Sequence, residues 1–328
     1  MTVALLEVED LAVELPTARG PLRALAGVSL RLEQGKALGV VGESGSGKTM
    51  LSRAILRLLP PMAQVSGSTR FDGKPLLTLG PEALRALRGK EIAVVFQDPM
   101  TSLNPVLTVG GQIVETLLEH LGLAVSAARL RAVELLASVG IPEPERRAGQ
   151  YPHQLSGGMR QRVAIAIALS CEPRLLLADE PTTALDVTVQ AQILDLLARE
   201  RSRRNMAMML ITHDLGIVAG RTDAVMVMYA GRVMERAATR VLFKQMQHPY
   251  TEALLAAIPK VENAPHTLLA AIAGTPPDPT RPAPGCPFAP RCRYSRADCR
   301  EAMPALTGAG GHPFACWHPL AMHTVVVA

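Results

Sequence analysis

Aromatic side chains are scarce in this chain of 328 residues: they make up 3% of it, with one tryptophan, four tyrosines and five phenylalanines. So few stacking surfaces, and no dense block of basic residues with aromatics between them, argue against a nucleic-acid binder. Long apolar runs are missing as well. Although 48% of the residues are hydrophobic, no stretch approaches the roughly 18 uninterrupted apolar residues needed to span a bilayer. Residues 1–15 alternate apolar and acidic positions and lack the basic start and apolar block of a secretion signal, so a strand and a cytoplasmic protein are expected. Cysteine is nearly absent from the body of the chain. Cys171 stands alone in an apolar segment, while Cys286, Cys292, Cys299 and Cys316 cluster in the tail; in a reducing compartment such a cluster suggests metal before disulfides. No internal repeat is visible. The net charge of +5 and pI near 9.1, carried mostly by arginine, suit an anionic partner such as a nucleotide or an acidic lipid surface without choosing between them.

What is present is organised around Gly42-Glu43-Ser44-Gly45-Ser46-Gly47-Lys48-Thr49, which fits the phosphate-cradling pattern G-x-x-x-x-G-K-[ST] at every fixed position. The apolar run 37–41 before it reads as a buried strand and 50–59 after it as a helix, the context this motif requires. Its glycines let successive N–H groups and the helix N-terminus face an anion. Lys48 adds a full positive charge, and the Thr49 hydroxyl is placed to ligate a magnesium ion bridging the outer phosphates. A Gly/Ser turn with a stray lysine is the alternative; the flanking strand and helix argue against it.

Outward from that loop, residues 3–33 read as short alternating strands, and 66–71 as another strand ending in the turn Asp72-Gly73. A helix is expected over 82–88 and a core strand over 92–96, followed by a loop marked by Pro99 and Pro105. From 109 to about 140 the period becomes helical, with Ile113, Leu117, Leu118 and Leu121 on one stripe and Val133, Leu136 and Val139 on another. This predicts an inserted helical subdomain, about 98–170, with a loop at 141–150. Further on, the expected elements are a helix at 157–169 capped by Ser156, a strand at 174–178, a helix at 187–203 and a strand at 207–212. Strands at 225–229 and 232–235 and a helix at 250–257 complete the core. The alternation predicts an α/β fold with a mixed core sheet covered by helices and a smaller antiparallel sheet. Ten of the 26 prolines lie between Pro276 and Pro319, so the domain boundary is placed near 258: residues 1–257 as the body, 258–328 as a Cys/Pro-rich extension.

Two further stretches bear on the phosphate site. The run 175–180 is a buried strand ending in two carboxylates. Asp179 is assigned to magnesium and Glu180 to polarising the attacking water, since hydrolysis needs charge neutralisation and an aligned nucleophile. In Leu155-Ser156-Gly157-Gly158-Met159-Arg160-Gln161, two glycines sit just inside a helix start. They cost about 1 kcal/mol each against alanine unless something must approach the backbone, as a phosphate would.

With phosphate loop, carboxylate strand and the LSGGMRQ run in that order, the chain resembles the nucleotide-binding subunits of ABC transporters over nearly all of residues 1–255, with the P-loop NTPase fold that implies. The resemblance implies ATP and Mg2+ as ligands and places roles residue by residue. Gln97 matches the glutamine that senses the γ-phosphate, contributes to the magnesium site with Thr49 and Asp179, and links to a membrane subunit. His213 matches the switch histidine, and Asp186 in Ala184-Leu185-Asp186 the loop that crosses between subunits. Catalysis falls to Glu180, His213 and Gln97, and the nucleotide to residues 42–49 (Gly42, Glu43, Ser44, Gly45, Ser46, Gly47, Lys48, Thr49), Gln97, Asp179 and, from a second ABC subunit, Ser156, Gly157 and Gly158. The aromatic that stacks on adenine in the family has no counterpart between Leu11 and Leu32, leaving Pro21, Leu22 or the stem of Arg23 to cover the ring.

Within that family, residues 181–190, 97–105 and His248-Pro249-Tyr250-Thr251, with the cysteine tail, resemble the dipeptide/oligopeptide importer branch; nickel importers share much of this pattern. The implied assembly is this chain with a second, paralogous ATPase, two transmembrane permease subunits and an extracytoplasmic substrate-binding protein, on the cytoplasmic face of the membrane and without nucleic acid. Import of nickel or another small solute is an alternative, as is a soluble ABC ATPase acting on a nucleic-acid or ribosomal complex. The tail spacing C-x5-C-x6-C-x16-C is neither that of zinc ribbons nor that of a bacterial ferredoxin. By its thiolates it leaves a cluster, Zn2+ or no metal open, with His312 and His318 as substitute ligands; the family branch implies a [4Fe–4S] cluster on Cys286, Cys292, Cys299 and Cys316.

Overall fold

The computed structural model describes residues 4–98, 102–183, 185–258 and 271–320. Pro99, Met100 and Thr101 of the loop after the 92–96 strand lie outside the described residues. So do Ala184 and the parts of the extension at 259–270 and 321–328.

Strands β1 (Ala4–Thr17), β2 (Gly20–Glu33), β4 (Gln64–Phe71) and β5 (Lys74–Pro75) form a four-stranded sheet in the order β2-β1-β4-β5. The short strands expected over 3–33 are two strands of 14 residues each. Their apparent breaks are bulges: Asp10 takes φ 47° and the β1–β4 register shifts between Glu9 and Ala12, so the strand kinks and continues. Gly67 opposes this bulge at φ 92°, and any Cβ there would meet Asp10 O at 2.5 Å.

The larger sheet contains β3 (Ala37–Val41), β6 (Ile92–Val95), β7 (Leu175–Asp179), β8 (Ala207–Thr212), β9 (Ala224–Tyr229) and β10 (Arg232–Ala238), in the order β10-β9-β3-β8-β7-β6. β3 runs parallel to β9, with Val41 opposite Val227, and β6 runs parallel to β7, whereas β9 and β10 form an antiparallel hairpin. β3, β7 and β8 are buried at every residue. That burial explains why they read as unbroken apolar runs and not as alternating ones.

Among the described residues the α-helices include α1 (Lys48–Ile55), α2 (Pro81–Leu87), α3 (Val109–Leu121), α4 (Val125–Ser138), α5 (Pro144–Ala148), α6 (Gly157–Leu169), α7 (Val187–Arg204), α8 (Leu215–Val218), α9 (Thr239–Gln245), α10 (Pro249–Ala256) and α11 (Asp298–Glu301). On α3 and α4 the expected stripes bury Ile113, Leu117 and Leu136, but Leu121, at the last turn before Gly122, is 42% exposed. The segment 141–150 is not all loop. Glu143 adopts φ 50° and Pro144 then opens α5 at the first helical position, where its missing N–H costs nothing.

By contacts the chain forms two compact units, one of residues 1–32, 37–77 and 210–328, the other of 33–36 and 78–209. In the first unit, the described part of the tail pairs with β10. Ala315 N donates to Met234 O and Arg236 N to Pro313 O. Between them Glu235, fully buried, accepts from Gln247 N, His248 N and His312 Nε2 at 2.6, 3.1 and 2.7 Å.

Candidate active site

In the first unit, β3 delivers the chain into the loop 42–49 and α1 leaves it at Lys48. Gly47 sits at φ 99° as the cap of α1, and a Cβ there would meet Ala24 O at 2.7 Å and Leu25 Cδ2 at 3.1 Å. A Cβ on Gly42 would run into the Met228 carbonyl and sit 2.7 Å from Ser46 Oγ. Both glycines are therefore demanded by close approach as well as by the turn. Lys48 is buried, and its ammonium donates to Gly42 O at 2.7 Å and Glu43 O at 2.9 Å. These carbonyls hold the positive charge inside the loop. Thr49 follows on the first turn of α1, half-buried.

Two tyrosines stand behind the loop, in a role that no sequence motif announces. Tyr250 Oη accepts from Glu43 N at 2.8 Å, and Tyr229 and Tyr250 pack at 4.6 Å between ring centroids, with Phe288 of the tail 5.5 and 5.1 Å from them. Burial pushes both phenols above their ordinary range, so they remain neutral, and their oxygens accept. Near the place expected to cover adenine, Arg23 N donates to Pro279 O, and the Arg23 guanidinium is engaged with Glu14 at 3.0 Å. His213 is exposed on the turn between β8 and α8, beside Asp214, which caps α8 through Gly216 N at 2.7 Å.

In the second unit, Asp179 ends β7 and is 2% exposed. Glu180 follows at φ 47°, a left-handed conformation rare for a residue with a side chain. Its Oε2 accepts from the Gln97 amide at 3.1 Å and from the Thr183 hydroxyl at 2.9 Å. Two residues picked from separate stretches, Gln97 and Glu180, are thus brought together. Ser156 caps α6, its hydroxyl accepting from Met159 N at 3.3 Å, with Ser156 and Gly157 exposed. Gly158 has a packing reason besides the expected approach of a phosphate: a Cβ there would lie 2.8 Å from Val189 Cγ1. Asp186 caps α7 through Val189 N at 2.9 Å.

A model of the ABC transporter family matches residues 25–183, and one of the oligopeptide/dipeptide transporter C-terminal region matches residues 234–299. Among curated proteins, the oligopeptide transport ATP-binding protein OppD of Bacillus subtilis (strain 168) is 48% identical over 320 residues, covering 96% of this chain and 89% of that one. This chain belongs to the ABC-type peptide-transport ATP-binding family. The dipeptide transport ATP-binding protein DppD of the same organism is 47% identical, covering 95% and 94% of the two chains. Of solved structures, a dimeric ATP-binding cassette in a post-hydrolysis state with ADP and phosphate matches at TM-score 0.65 and 29% identity, over 72% of this chain and 99% of that one. The fold is that of an ABC ATPase cassette, and this subunit hydrolyses ATP to power a peptide importer. Among the described residues no helix is long and apolar enough to cross a membrane.

The expectation of a [4Fe–4S] cluster is corrected. Cys286, Cys292, Cys299 and Cys316 do line one small pocket with His248, Phe288, Trp317 and His318. Burial pushes the Cys286 thiol up to about 11 and Cys316 up to about 12. Among the described residues, the group whose ligand atoms gather within 4.8 Å is Asp298, Cys299 and His318, with a single sulfur. The matched families and relatives are described as ABC transporter and peptide-transport ATP-binding proteins, and the cluster has no support among them. His312 Nε2 is engaged with Glu235 at 2.7 Å.

Proposed function

We propose that the loop 42–49 grips the triphosphate of ATP and that Glu180 is the general base of its hydrolysis. The observation that carries this reading is the carboxylate of Glu180, fixed at the end of a buried strand by the Gln97 amide and the Thr183 hydroxyl. A base held in one orientation can align a water molecule without reorganisation in the transition state. The residues offered to Mg2+, namely the Thr49 hydroxyl, the Gln97 amide and the Asp179 carboxylate, are hard oxygen donors of the kind magnesium takes. When bound, that ion neutralises charge developing on the phosphates. Lys48 leaves its loop carbonyls to meet the phosphate chain, and His213 is assigned, by its match to the switch histidine of the family, to the γ-phosphate.

The start of α6, with Ser156 and Gly157 exposed and Gly158 behind them, would cap the phosphates of a second ABC subunit, a paralogue in our reading. ATP then favours the closed pair, and hydrolysis removes that preference. Residues 1–257 form the ATPase body, with 258–328 as its extension, and the subunit works peripherally on the cytoplasmic face of the membrane, beneath two permeases fed by an external binding protein. A docking point for the permeases is offered by Val106, 76% exposed, and Leu107. Their turn is held stiffly, for Gln112 bonds Asn104 N, Asn104 O and Leu107 O, and Val106 N donates to Asn104 Oδ1. Replacing both residues with aspartate should weaken co-purification with the permeases at least tenfold while leaving basal ATPase activity in place. Undiminished co-purification would move the contact elsewhere.

For the tail, Asp298, Cys299 and His318 offer the carboxylate, thiol and imidazole donors that a zinc ion accepts. Elemental analysis should find zinc in the wild type and lose it in Cys299→Ser. Metal-free wild-type protein, purified without chelators, would reduce the group to a structural role that includes the His318–Asp298 ion pair at 2.7 Å.

A further inference from the structure

Glu43 puts a carboxylate inside the loop that has to receive a highly charged anion. A negative group at that position opposes a triphosphate unless its charge is met. The tail meets it. Arg291, 248 residues further along the chain, forms a two-pronged pair with Glu43, Nη1 to Oε2 at 2.6 Å and Nη2 to Oε1 at 2.9 Å. Its other N–H groups are all used: Nη1 also donates to Tyr229 Oη at 3.0 Å, Nη2 to Ile272 O at 3.1 Å and Nε to Ala273 O at 2.8 Å. The five donors of a guanidinium are thereby satisfied. The side chain is 4% exposed, against 26% for Glu43. Such a buried fork is a far stronger and more specific pairing than a surface ion pair. Since Tyr250 holds the backbone N–H of the same glutamate, Glu43 is fixed at both ends.

We infer that Arg291 is a positioning residue for ATP binding: it cancels and pins the Glu43 carboxylate so that the phosphate loop presents net positive charge to the nucleotide. The inference rests on the assignment of residues 42–49 as the phosphate site. It makes the tail a working part of the nucleotide site and not an appendage to it.

The test is calorimetric titration of folded full-length variants with Mg-ATP and Mg-ADP. Arg291→Gln, which unmasks the carboxylate, should weaken Mg-ATP binding roughly tenfold and Mg-ADP less, with a defect that shrinks as ionic strength rises. Arg291→Lys, which keeps the charge and loses the fork, should fall between wild type and Arg291→Gln. The deciding variant is the double replacement Glu43→Gln with Arg291→Gln. Removing both charges should restore Mg-ATP affinity to within about threefold of wild type, a rescue that a merely structural role of Arg291 would not give. Arg291→Gln binding Mg-ATP as tightly as wild type, or a double variant no better than Arg291→Gln alone, overturns the inference. If wild-type protein itself fails to bind Mg-ATP, the assignment of the loop falls and this inference falls with it.

Discussion

Replacing Glu180 with glutamine should leave Mg-ATP bound while turnover drops by about a hundredfold or more, the range expected for loss of a positioned general base. The substitution is nearly isosteric, so the Gln97 and Thr183 contacts at 3.1 and 2.9 Å keep an oxygen to donate to. What disappears is the ability to take a proton from water. With hydrolysis blocked, ATP should hold the variant in the closed pair with its partner subunit, seen as an ATP-dependent shift in size by analytical ultracentrifugation. Unchanged turnover would remove Glu180 from its assigned role. Normal binding beside abolished turnover separates this effect from misfolding.

The second large effect is expected at Lys48. Its ammonium is buried and held by Gly42 O and Glu43 O, so Lys48→Ala removes the one full positive charge at the centre of the loop. A charge-assisted contact to phosphate contributes about 1.5–3 kcal/mol, which corresponds to a loss of roughly ten- to hundredfold in Mg-ATP affinity. The same change also leaves two loop carbonyls without their donor, so a lower melting temperature should accompany the weaker binding. An affinity within twofold of wild type would mean that the phosphates lie elsewhere.

Much of this site was legible because its parts are local. The cap Ser156 and the apolar run behind it place α6 at Gly157–Leu169, and the fully buried run at Ala207–Thr212 is β8, both as expected. Gln97 and Glu180 were picked from separate motifs, and their amide and carboxylate meet. The strand breaks expected over 3–33 failed for a physical reason: Asp10 at positive φ makes a bulge and not an end, and sequence pattern does not distinguish the two. The contacts of Glu43 were invisible for another. Arg291, Tyr229 and Tyr250 are brought to it by the tertiary fold, and nothing in the spacing of lone arginines or tyrosines announces a partner two hundred residues away. The tail cysteines show the opposite error. The resemblance to the peptide-importer branch implied one iron–sulfur ligand set on the four tail cysteines, whereas the ligand atoms that gather among the described residues are those of Asp298, Cys299 and His318, with a single sulfur.

The most direct test of the whole account is ATP-driven peptide uptake by proteoliposomes that contain this subunit with its partner ATPase and permeases, supplied with the external binding protein. Wild-type subunit should accumulate labelled peptide only with Mg-ATP, and the Glu180→Gln subunit should assemble equally well and accumulate almost none. Uptake that proceeds at the wild-type rate with the Glu180→Gln subunit in place of the wild type, or without ATP, would contradict it.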